Sequence, residues 1–133
     1  MGLTLRLIYA ACLLGATINH VRTVAAHGLL WNYGGVSVAS ATFWTSLTLL
    51  DPLAAILLIA RPNAGVLATA VIILSDVIHN LWITARFAQP HHLLVAVTSD
   101  VFVISQIAFL FFVAATAPIA WTPRERHLAS THR

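Results

Sequence analysis

Apolar positions along the chain fall into four long runs, at about 3–24, 41–60, 64–86 and 93–117, separated by short stretches where polar residues, glycine and proline gather. Each run is close to the roughly 20 residues that a helix needs to cross a bilayer core. A segment in lipid must satisfy its own backbone polar groups, so the runs predict helices. The β-branched residues of 66–77 and 95–107 favour strands in water, but the lipid constraint overrides that preference. No run alternates apolar and polar residues, which excludes a transmembrane barrel.

The connections refine this picture. Arg61-Pro62-Asn63 is a tight turn that makes the second and third runs an antiparallel hairpin. The 87–92 connection is nearly as short and holds Pro90, His91 and His92. The 25–40 connection carries Trp31, Tyr33, Gly34 and Gly35 and is expected to be a loop resting at the headgroup interface, with an interfacial lid as the alternative. The expected fold is therefore all-α: an integral membrane four-helix bundle of up-down-up-down order. It forms one domain over 1–118, followed by a polar cytoplasmic tail over 119–133. The first run resembles a signal peptide in having Arg6 before it and Ala25-Ala26 after it, but Asn19, His20 and Arg22 interrupt the cleavage region, so an uncleaved helix is expected.

Composition then excludes whole classes. Of 133 residues, 59% are hydrophobic and 8% charged, against roughly a quarter charged in soluble domains. The cations are seven arginines, spread singly, so no basic patch for nucleic acid exists. Five of them (Arg6, Arg61, Arg124, Arg126 and Arg133) fall on the side of the expected termini, and Arg22 and Arg86 fall on the other. That bias predicts both termini in the cytoplasm of a bacterial-type inner membrane. The single cysteine, Cys12, excludes an intrachain disulfide and a paired redox motif.

The four acids are Asp51, Asp76, Asp100 and Glu125. Glu125 belongs to the tail. The other three fall inside the second, third and fourth runs, at compatible depths in the half away from the termini. Asn19 and His20 end the first run at that level, and His79 and Asn80 follow Asp76 by three and four residues, on one helix face. Thr69 lies two turns below on the same stripe. Pro52 frees the carbonyl of Thr48 beside Asp51. Each ionised aspartate at a helix centre costs about 2.5–3.5 kcal/mol on insertion scales, so three facing lipid would cost on the order of 8–10 kcal/mol. They must face inward and be protonated, paired or ligand-bound. Salt bridges to Arg22 and Arg86 are the plain structural alternative. His27, His91, His92, His127 and His132 are expected to be surface residues.

An apolar pocket disfavours an ionised carboxylate, so one aspartate is expected to hold a proton and deliver it to an alkene or epoxide. A second would stabilise the cation, and His79 would shuttle the proton. The expected activity is thus acid–base isomerisation or cyclisation of an isoprenoid, terpenoid or sterol-like lipid by a membrane-embedded enzyme. Asp51, Asp76, His79 and Asp100 are the catalytic candidates. Asn19, His20, Asn80, Trp44, Trp82 and Phe102 are the substrate-binding ones, the aromatics offering cation–π contact. Four helices with acids and a histidine around an apolar cavity resemble the layout of the emopamil-binding sterol isomerase superfamily, and small integral-membrane terpene cyclases are similar in their paired acids. The resemblance is one of layout and assigns no residue its role. A proton-coupled transporter, a haem or metal anchor using His20 and His79, and a structural subunit are the alternatives. No metal and no cofactor are expected. The expected partners are a lipophilic small molecule, the bilayer itself and, in a homo-oligomer, a second copy.

Overall fold

A computed structural model describes residues 1–89 and 91–121. Five helices follow one another: α1 (Gly2–His27), α2 (Val38–Ala60), α3 (Pro62–Phe87), α4 (Leu93–Ser99) and α5 (Val101–Ala120). Among the described residues there is no strand. α1, α2, α3 and α5 are long and apolar enough to cross a membrane. Their outer faces are lined by exposed Leu, Ile, Val and Phe, including Leu49, Leu53, Val71 and Phe111, a surface suited to lipid rather than water. The tail from 122 onward, with its arginines, Glu125, His127 and His132, lies outside the described residues, as does Pro90.

Local chemistry sets where each helix starts. Ser37 caps α2, its hydroxyl accepting from the Ser40 amide at 3.2 Å. Pro62 opens α3 at a position where no amide hydrogen is needed. α2 and α3 are joined through Arg61 alone, and α2 continues as helix through Pro52.

The fourth run differs from expectation. It is not one helix over 93–117: the backbone leaves helical geometry at Asp100, dividing the run into α4 and α5, and α5 runs on past Pro118. Asp100 is the N-cap of α5, its carboxylate accepting from the amides of Phe102 (2.8 Å) and Val103 (3.3 Å). Aspartate is a strong N-cap and a poor interior residue, and Thr98 and Ser99 before it turn their hydroxyls back onto the Leu94 and Ala96 carbonyls.

α1 packs along α2, α2 along α3, α3 along α5, and α5 returns to α1. The core sits where α1 begins and α5 ends. Tyr9, Leu13, Ala54, Ala55, Leu58, Val66, Val113 and Ala120 form one buried cluster there. The Tyr9 hydroxyl lies 2.6 Å from Thr116 Oγ1, and its ring meets Phe109 and Phe112 edge-on. Gly65 lets α2 and α3 touch backbone to backbone, since a Cβ there would collide with Leu57 and Leu58.

Candidate functional site

Beyond this cluster, α1 and α5 separate. A cavity of about 360 Å³ lies between them, walled by Cys12, Leu13, Gly15, Ala16, Asn19 and His20 from α1 and by Phe102, Ser105, Gln106 and Phe109 from α5. Asp51 of α2 and Ile72, Ile73 and Asp76 of α3 complete it. Both aspartates are buried, with 2% and 6% of their surface exposed, and both line this cavity.

Their surroundings differ. The amide nitrogen of Asn80 donates to Asp76 Oδ1 at 2.8 Å and lies 3.0 Å from Gln106 Oε1, which ties α3 to α5. The i, i+4 spacing of Asp76 and Asn80 makes this possible. Asp51 has no hydrogen bond among the described residues; its nearest polar partner is His20, with Nε2 3.8 Å from Asp51 Oδ2. Among the described residues neither aspartate is paired with an arginine. Arg86 instead lies over the Trp82 ring, 5.1 Å from its centre.

A second cavity, of about 300 Å³, adjoins the first on the side away from the core. His20, Asn19, Phe102 and Gln106 line both. Thr23, Trp44, Asn80, Ile83, Thr84, Asp100 and Val103 line the outer one, together with Tyr33 from the α1–α2 connection. That connection is more than a loop resting on the membrane. Asn32 caps its turn, accepting from the amides of Gly34, Gly35 and Val36, and glycine suits the φ of 82° and 124° at 34 and 35. A ladder of rings then runs from His27 through Trp31 and Tyr33 to Trp44. Tyr33 is held at a φ of 46°, a conformation costly for a bulky residue, and partial burial raises its phenol above the ordinary range, keeping it a hydrogen-bond donor.

The candidates read from the sequence thus divide. Asp51, Asp76, His20, Asn19 and Phe102 meet at the inner cavity, with Asn80 holding Asp76. Trp44 and Asp100 line the outer one. Asp100 does not join the other acids: it is exposed and caps a helix. His79 and Trp82 line neither cavity. His79 packs against Phe43, Trp44 and Trp82, with its Nε2 buried and unpartnered, so the two histidines proposed for haem face different surroundings. Thr69 is structural, its hydroxyl bonded to the Gly65 carbonyl at 2.8 Å.

Gln106, Phe109 and Tyr33 are the residues that sequence reasoning missed. Gln106 alone left a signal, as an amide in the middle of an apolar run. Among the described residues, no cluster of three or more metal-ligating side chains occurs. No protein-family model, curated protein or solved structure matches the chain, so the functional reading rests on geometry and chemistry.

Proposed function

We propose that the chain is a membrane-embedded acid–base enzyme that isomerises or cyclises an isoprenoid, terpenoid or sterol-like lipid in the cavity between α1 and α5. One observation carries this reading: two aspartates, unpaired with any arginine among the described residues, converge on a cavity whose wall sets Leu13, Ala16, Ile72, Ile73, Phe102 and Phe109 beside the polar Asn19, His20, Ser105 and Gln106. Its volume lies within the range of small-molecule sites. Asp51, which accepts no hydrogen bond among the described residues, is the proton donor. Asp76, held by Asn80 in the way that suits a carboxylate, stabilises the cation that protonation creates. Phe102 and Phe109 add their ring faces.

Asp51 gives its proton to an alkene carbon or an epoxide oxygen. The cation collapses by losing a proton from a neighbouring carbon, and in an isomerisation that proton restores Asp51. Where the Asp76 carboxylate takes that proton instead and releases it to water, His20, which lines both cavities, relays a replacement to Asp51 from the outer one. The reading includes an up-down-up-down bundle in a bacterial-type inner membrane with both termini cytoplasmic. The approach of Gly2 to the Ile119 carbonyl and the arginine distribution support that arrangement.

Purified full-length protein in lipid nanodiscs, supplied with polyprenyl alkenes and epoxides in D2O, tests the chemistry. The expected product carries solvent deuterium on carbon for an alkene, or a rearranged skeleton for an epoxide. Asp51→Asn should fold normally and lower the rate by about 10²–10⁴-fold, the usual contribution of a general acid. Wild-type rates in a folded Asp51→Asn protein, or no product from any of these lipids, would overturn the proposal.

A further inference from the structure

The two cavities differ in character where they adjoin. The inner one is walled chiefly by hydrocarbon and opens between α1 and α5, where Gly15 is exposed and an added Cβ would meet nothing within 4 Å. The outer one offers amides and hydroxyls, from Asn19, Thr23, Tyr33, Thr84 and Gln106. Long amphiphiles have this same division, with a polar end and an apolar chain. The buried Asp51 carboxyl, without a hydrogen bond of its own, faces the inner cavity near the junction that His20 marks.

Charge narrows the polar end. Among the described residues no arginine lines either cavity, the chain has no lysine, and three aspartates lie along the pair. A phosphate or diphosphate would face carboxylates with only the His20 imidazole, already beside Asp51, to offset them. Nor does the outer cavity call for a cation, because the Asp100 carboxylate is already engaged by two backbone amides at the start of α5. What remains is a neutral hydrogen-bonding group.

We infer that the two cavities form one bent site for a single lipid alcohol, its hydroxyl in the outer cavity beneath Tyr33 and its hydrocarbon chain in the inner one, entering from the bilayer between α1 and α5. The inference rests on the inner cavity being the reaction site and names the substrate class for it. The Tyr33 ring, tilted against Trp44 with ring centres 4.6 Å apart, lines the polar end, so the chain end of the lipid enters sideways through the gap beside Gly15.

Photolabelling tests this without turnover. The full-length protein in phosphatidylcholine nanodiscs is exposed to a polyprenyl alcohol bearing a diazirine at the far end of its chain, and labelled peptides are mapped. Labels are expected on α1 and α5 around Gly15 and Ser105. Unlabelled alcohol should compete, and its monophosphate should compete at least about tenfold more weakly, having only the His20 imidazole to meet it. Gly15→Phe, or Ser105→Trp from the opposite wall, should cut labelling by about tenfold by filling the entrance, each checked by its melting temperature. Tyr33→Phe and Thr84→Val should weaken the alcohol by about tenfold and leave a hydrocarbon analogue without the hydroxyl unchanged. Equal competition by the phosphate, or undiminished labelling in folded entrance variants, would overturn the inference. Labelling without any deuterated or rearranged product would leave this inference standing and remove only the reaction; Asp51-dependent turnover without such labelling would do the reverse.

Discussion

At the end where α1 begins and α5 finishes, interior positions are filled and the helices touch; a few turns away the same helices part around two acids. The closed end uses small residues to bring backbones together: Gly65 against Leu57 and Leu58, with Ala54, Ala55 and Ala120 in the cluster around Tyr9. The open end uses Gly15 and Ala16 to leave space that no neighbour fills. Small residues therefore serve opposite purposes at the two ends. Lipid supplies little hydrophobic drive for helices to associate, so close packing must hold a membrane bundle together. The closed end acts as the clamp that lets the other end carry a cavity and buried carboxyls, neither of which favours folding.

The comparison breaks most readily at Gly65. Gly65→Leu should cost about 3 kcal/mol or more, because the collision is with the backbone of α2 rather than with a flexible side chain. Melting in detergent, followed by helical circular dichroism, would read this as loss of the cooperative transition or a large fall in its midpoint. A melting temperature near the wild-type value would mean that α2 and α3 do not need their close approach.

A substitution at the open end should have the opposite sign. Asp51 is buried without a hydrogen bond and faces free volume, so Asp51→Leu replaces an unfavourable group with one that the wall accepts. The expected result is a gain of about 1–2 kcal/mol, with activity abolished, the usual exchange between stability and function at a site. A clear loss of stability instead would assign Asp51 to the structure of the bundle.

How far the sequence discloses this molecule follows from the reach of each signal. The first three apolar runs end within a few residues of the bounds of α1, α2 and α3, because span length and lipid solvation fix them locally. Asp51, Asp76 and Asn80 were legible because a carboxyl inside a greasy run is costly wherever it sits, and because helical spacing sets which neighbours share its face. Asp100 broke the same logic. Depth was counted on the assumption of one unbroken helix, whereas a Ser-Asp pair before an apolar run is also a helix-start signal, and here capping prevailed. His79 shares a stripe with Asp76 yet turns into Phe43, Trp44 and Trp82, since helical spacing sets position along a face to within a wide arc. Tyr33 was legible only as an interfacial aromatic. Its place beside the outer cavity depends on a left-handed backbone angle and on a tilted ring contact with Trp44, neither of which leaves a periodic trace.

Tyr9→Phe sharpens the contrast with the smallest change. It removes one oxygen from the closed end and leaves the edge-on contacts with Phe109 and Phe112 in place. The hydroxyl lies 2.6 Å from Thr116 Oγ1, but Thr116 also donates to the Phe112 carbonyl at 2.6 Å, so its own proton keeps a partner. The loss is thus the short hydrogen bond to Thr116 and a long one of 3.5 Å to the Val113 carbonyl, together about 1 kcal/mol, seen as a fall of a few degrees in melting temperature. Labelling of the inner cavity by the polyprenyl alcohol should be unchanged, because that wall begins a turn further along α1, at Cys12. A fall in labelling beyond the fall in folded protein would mean that the clamp also sets how far α1 and α5 stand apart.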